Sequence, residues 1–118
     1  MRKELEDRLV TFAVSIMELC KNLEKSQVAE QLSGQIWRSV TSAALNYGEA
    51  QGAESKKDFT HKIGIVLKEL RETNINLQIL VKTGLCNSDK KEIQKIMDES
   101  SQLVAIFHKT AITSKKNP

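Results

Sequence analysis

A chain of 118 residues with a net charge of +3 fits one domain with a modest core, and its mild basicity permits contact with nucleic acid without demanding it. Three phenylalanines, one tyrosine and one tryptophan leave core building to aliphatic side chains, and a lone proline at position 118 leaves long runs of good helix formers. That composition argues for an all-α protein and against a sheet. The charged start MRKELEDRLV does not look like a signal peptide, and no apolar run is long enough to span a bilayer, so a cytoplasmic protein without membrane contact is expected.

The first helix is predicted over about 3–25. Leu5, Leu9, Phe12, Ile16, Leu19 and Leu23 recur at steps of three and four, the spacing of a bundle seam. After the short connection KSQV, the second helix runs from about Val28 to Gln51, with Leu32, Ile36, Val40, Ala43, Tyr47 and Ala50 in line and Gly52 as its stop. Ser55 then offers an N-cap, with Asp58 three residues on. The third helix follows, with Phe59, Ile63, Val66, Leu70, Thr73, Leu77 and Leu80 on one face and Gly84 as its stop. Asn87, Ser88 or Asp89 can cap a fourth helix carrying Ile93, Ile96, Ser100, Leu103, Phe107 and Ala111. One domain over 1–113 is expected, with a frayed tail over 114–118. Short connections favour an antiparallel, up-down-up-down four-helix bundle.

Beside its apolar line the second helix carries a polar row: Gln31, Gln35, Arg38, Ser42, Asn46 and Glu49. The third has a matching row of Asp58, Lys62, Glu69, Thr73 and Asn76. Folding the pair about the Gly52–Glu54 turn brings Glu49 level with Asp58 and Lys62, and Arg38 level with Glu69. The rows then form a half-buried polar seam of Arg38, Ser42, Asn46, Glu49, Asp58 and Glu69 centred on an Arg38–Glu69 ion pair; the alternative is a solvated shoulder on each helix. Losing Arg38 from such a pair would cost roughly 1–3 kcal/mol by stranding Glu69.

These residues carry a resemblance. The segment from Ser33 to Thr73 resembles bacterial four-helix-bundle proteins encoded in intervening sequences of large-subunit ribosomal RNA genes. The matching positions are Arg38 and Ser39, Ser42, Asn46, Glu49 and Ala50, Ser55, Asp58 and Phe59, and Lys68 and Glu69. The chain departs from that pattern at Leu45, where alanine is usual, and at Ile75 and Asn76, where an aromatic pair is common. The family is similar in turn to the accessory variability determinant of diversity-generating retroelements, a basic pentameric bundle that binds nucleic acid and a reverse transcriptase. The resemblance implies a closed bundle assembling as a homopentamer.

Two features bear on partners independently. Val10, Val14 and Met17 lie opposite the core line of the first helix, and Ile65, Ile75 and Ile79 opposite that of the third, as expected of an oligomer interface. One end of the bundle would gather Arg2, Lys3, Arg8, Lys56, Lys57, Lys62, Lys109, Lys115 and Lys116 against six carboxylates, an excess equal to the net charge of +3. Lys56, Lys57, Lys62, Lys109, Lys115 and Lys116 are the candidate RNA contacts, repeated by ring symmetry; the alternative is a solvated, mixed-charge end. No aromatic residue interleaves them, so base stacking is not expected there.

Enzyme chemistry has little support. Cys20 and Cys86 lack metal-ligand spacing and read as reduced thiols. His61 and His108, expected at similar heights on adjacent helices, have no third ligand. Glu-x-x-His pairs, phosphate-cradling glycine loops and nucleophile motifs are missing. No cofactor or metal is expected. The function expected is a non-catalytic oligomer that binds RNA at its basic end; the alternative is a protein–protein assembly or adaptor module.

Overall fold

In the computed structural model, residues 2–116 are described, with side chains from residue 3 onward. Four helices follow one another: α1 (Arg2–Lys21), α2 (Gln27–Gln51), α3 (Lys56–Lys82) and α4 (Lys90–Lys116). Among the described residues there is no strand, only an isolated bridge between Leu23 and Cys86. The predicted all-α class therefore holds. The four helices pack around one apolar core and extend over 47 × 25 × 20 Å.

Local chemistry sets the helix ends. Ser26 accepts a hydrogen bond from the Ala29 amide at 3.0 Å, so α2 starts one residue before the predicted Val28. The Ser55 side chain accepts from the Asp58 amide at 3.0 Å and starts α3 as expected. Of the three candidate caps for α4, Asp89 is the one that acts, its Oδ1 accepting from the Lys91 amide at 3.3 Å.

Two expectations are corrected. α1 stops at Lys21, short of the predicted Lys25, because the backbone beyond it bonds elsewhere. The Glu24 amide donates to Leu85 O at 2.9 Å, and the Asn87 amide donates to Asn22 O at 3.0 Å. These bonds tie the α1–α2 connection to the α3–α4 connection. Helix α4, conversely, continues through Lys116 with Ser114 buried, so 114–116 are not a frayed tail. Asn117 and Pro118 lie outside the described residues.

Every core line meets the interior. Leu9, Phe12, Ile16, Leu19 and Leu23 of the first stretch are buried, as are Ile36, Val40, Ala43, Tyr47 and Ala50 of α2. From α3 come Ile63, Val66, Leu70, Thr73, Leu77 and Leu80, and from α4 Ile96, Ser100, Leu103, Phe107 and Ala111. Leu5, Leu32, Phe59 and Ile93, at line ends, are half-buried. Tyr47 and Phe107 meet edge to face with ring centres 5.3 Å apart, in the geometry that aromatic quadrupoles favour.

Candidate nucleic-acid interface

The start of α1 meets the end of α2 where Gln51 Nε2 donates to Glu6 Oε1 at 3.1 Å. The end of α2 meets the start of α3 where Lys62 Nζ donates to Glu49 Oε1 at 2.8 Å. The Thr60 and Ser114 hydroxyls join the start of α3 to the end of α4. These contacts gather the lysines assigned to this end, whereas Arg8 lies beside Glu99, ten positions before Lys109 in α4, and the Arg2 side chain lies outside the described residues.

They are not equally available. Lys3 is held by Glu6 at 3.1 Å and Asp7 at 3.2 Å. Arg8 reaches across to α4, where Nε meets Glu99 Oε2 at 3.1 Å and Nη2 meets Glu99 Oε1 at 2.6 Å, the forked geometry a guanidinium makes with a carboxylate. Lys62 is engaged by Glu49, which raises its pKa, so its charge is largely answered within the chain. Lys56, Lys57, Lys109, Lys115 and Lys116 are exposed and take part in none of the ion pairs among the described residues. Lys56 and Lys109, from the opposite ends of α3 and α4, line one depression of about 390 Å³ with Phe59 in its wall. The first turn of α3, whose free amides favour negative charge, opens beside it.

The seam between α2 and α3 exists, but its centre differs from the expectation. Glu49 and Lys62 pair as predicted. Ser39 and Thr73, both fully buried, share a hydrogen bond at 2.7 Å. Asn46 Nδ2 turns back onto Ser42, bonding its carbonyl at 2.9 Å and its hydroxyl at 3.2 Å. Glu69 is buried, while Arg38 is exposed and takes part in none of the described ion pairs. The Arg38–Glu69 contact pair is therefore not formed: a guanidinium stays hydrated more cheaply than it follows a carboxylate inward. Burial pushes the Glu69 carboxyl up. The Glu72 carboxyl, the Ser42 hydroxyl and, at longer range, Arg38 and Lys68 outweigh that and hold it below its ordinary value. One oxygen, Glu69 Oε1, is buried without a hydrogen-bond partner. Gln31 and Gln35 lie exposed, so the outer part of the row is the solvated shoulder and the inner part is the seam.

Other polar contacts gave no sequence signal. Asn74 Nδ2 donates to the buried Ser100 hydroxyl at 2.8 Å, a second seam that accounts for the serine in the α4 stripe. Arg71 Nη2 meets His108 Nδ1 at 3.2 Å. His108 therefore sits beside a residue ten positions beyond His61, about 15 Å along α3, so the two histidines are not level as expected. A groove of about 660 Å³, floored by Phe12 and Ile96, opens between α1 and α4 beside the Arg8–Glu99 pair.

The apolar outer faces are real surface. Val10 and Val14 are each 50% exposed, Ile75 56% and Ile79 42%, whereas Met17 and Ile65 are half-buried. Trp37 and Leu45 add exposed apolar positions on α2 that the periodicity did not single out. Cys20 and Cys86 are free and half-buried, and burial raises both thiols. Among the described residues, no group of three or more His, Cys, Asp or Glu side chains is arranged for a metal, and no helix is long and apolar enough to cross a membrane.

A four-helix, all-α chain with this seam and lysine-bearing end matches the family model described as 23S rRNA-intervening sequence protein over residues 4–109. The chain belongs to that family. Among solved structures it is similar to a protein of unknown function from the S23 ribosomal protein family of Bacteroides thetaiotaomicron. The two share 32% identity with a TM-score of 0.74, over 91% of this chain and 97% of that one. No curated protein matches it significantly.

Proposed function

We propose that this is a non-catalytic, cytoplasmic bacterial protein that assembles as a ring, most simply a homopentamer, and holds structured RNA by its phosphates at the lysine end. The observation that carries the reading is the set of five exposed lysines that have no carboxylate partner among the described residues, two of them lining one depression. The family description, which refers to an rRNA intervening sequence, is consistent with an RNA partner. An up-down-up-down antiparallel path is supported by the pairings Glu49–Lys62 and Ser39–Thr73, where positions fall along α2 as they rise along α3. That path puts the lysines of α3 and α4 on the same end of each subunit, and a ring would repeat them.

Retention of structured RNA at low salt should weaken steeply as salt rises, because phosphate contacts release counterions. The variant Lys56→Glu, Lys57→Glu, Lys115→Glu, Lys116→Glu should lose retention while melting at the wild-type temperature. RNA binding that survives this reversal sinks the proposal. The exposed apolar faces of α1 and α3 favour a second reading, an assembly module whose partner is another protein. Absence of RNA binding at low salt, together with stoichiometric capture of a protein partner, would select it.

A further inference from the structure

A second charged depression opens on the side of the bundle between α2 and α3. It measures about 460 Å³ and is lined by Gln35, Arg38, Arg71, Glu72, Ile75 and Asn76. Arg71 is fifteen positions along α3 from Lys56, roughly 22 Å of helix, so this place is separate from the lysine end. Among the described arginine side chains, Arg8 is satisfied by Glu99, whereas neither Arg38 nor Arg71 takes part in an ion pair. Arg71 is steadied by His108 Nδ1, which must accept because a guanidinium has no acceptor to offer. That contact takes up Nη2 and leaves the charge without a carboxylate, with the other guanidinium N–H groups as the donors a ligand could use. Arg38 is exposed at the rim.

We propose that this depression binds the phosphate ester of a nucleotide. Two guanidiniums provide paired N–H donors matched to phosphate oxygens, a geometry that lysine does not reproduce. The Gln35 and Asn76 amides can both donate and accept, as a base edge or sugar requires, and Ile75 supplies an apolar wall for a ring. Glu72 is the carboxyl at the rim. It lies against Glu69, which raises its pKa, with Arg38 on α2 and Lys68 on α3 pulling it the other way. Its charge opposes a phosphate, so it restrains affinity. The phosphate could belong to a free nucleotide or to a nucleotide within RNA; the second case rests on the RNA reading above.

Calorimetric titration with adenosine 5′-monophosphate separates the possibilities. The nucleotide should bind the wild-type protein, and Arg38→Ala with Arg71→Ala should weaken it about tenfold or more. Arg38→Lys with Arg71→Lys should recover part of that loss, since charge returns without the fork. Glu72→Gln should tighten binding severalfold. The four-lysine reversal should leave nucleotide binding intact, so that failure of this site and failure of the lysine end are distinguishable. A short single-stranded RNA whose binding is weakened by the double arginine change as well as by the lysine reversal identifies RNA as the source; loss of AMP binding alone identifies a free nucleotide. Absence of binding to both probes overturns the proposal, as does binding indifferent to the arginines in a protein that still melts normally. Dissociation of an oligomer by Arg38→Glu with Arg71→Glu, without change in AMP binding, assigns the guanidiniums to a second copy of the chain and likewise overturns it.

Discussion

Burial alone would raise the Glu69 pKa, yet its neighbours favour the ionised form, and the consequence falls on Glu72. The Glu69 carboxyl pushes the Glu72 pKa above its ordinary value of 4.5. A folded pKa raised in this way contributes stability that is complete below the unfolded value and is lost as pH rises through the folded one. Glu69, whose folded pKa is depressed, behaves oppositely: its contribution is present above the unfolded value and is lost as pH falls through the folded one. Glu72→Gln should therefore raise the melting temperature at pH 7, and the gain should fade as pH drops below the ordinary value of 4.5, where Glu72 becomes protonated in folded and unfolded chains alike. A gain that stays equal from pH 7 to well below 4.5 would show that the carboxyl pair is not its origin. Arg38→Ala should cost less than about 1 kcal/mol, because an exposed charge acting at long range is worth little; the larger loss expected from sequence presumed direct contact. Thr73→Val should cost about 1 kcal/mol in chemical denaturation. Ser39 and Thr73 have two hydroxyl protons for three contacts: their shared bond, Ile36 O and Glu69 O. Without the Thr73 hydroxyl, Ser39 can still turn to Ile36 O, so its proton is not stranded. The polar row was legible at this scale because helical period fixes which side a residue faces. Whether an arginine reaches inward or stays hydrated depends on side-chain solvation, which period does not encode.

Among the helices, the two glycine stops look alike in sequence and differ in backbone. Gly84 sits at φ +75, a left-handed conformation that a side chain strains, directly after the Thr83 cap. Gly52 caps α2 at φ −98, and a Cβ there would meet Glu49 O at 3.8 Å, an ordinary contact. Gly84→Ala should destabilise by about 1 kcal/mol or more and Gly52→Ala by much less, as denaturant midpoints would show. Equal losses would mean that neither depends on the φ angle. Helix count, caps and core lines were readable because each has a local cause in side-chain chemistry or spacing. The end of α1 was not, since Asn22 and Glu24 leave the helix for bonds to Asn87 and Leu85, more than sixty positions away. The length of α4 was misjudged for a similar reason: burial of Ser114 against Thr60 of α3 holds its last turn.

For the whole molecule, the question is what covers its outer apolar residues. Val10 and Val14 on α1 and Ile75 and Ile79 on α3 are two different patches, and contact between unlike patches continues from copy to copy until a ring closes. In the proposed ring, closure repeats the lysine end and multiplies its electrostatic reach, so assembly and RNA retention should fail together. Val14→Asp or Ile79→Asp alters a half-exposed side chain outside the core and should move the melting temperature little. In the proposed ring either change places a charge in the contact and should leave single chains by sedimentation. RNA retention should then weaken although every lysine is still present. Monomers that keep full RNA affinity would show that one subunit's lysines suffice and that the ring is not part of the binding surface. An unchanged sedimentation coefficient in both variants would remove the two patches from the interface altogether.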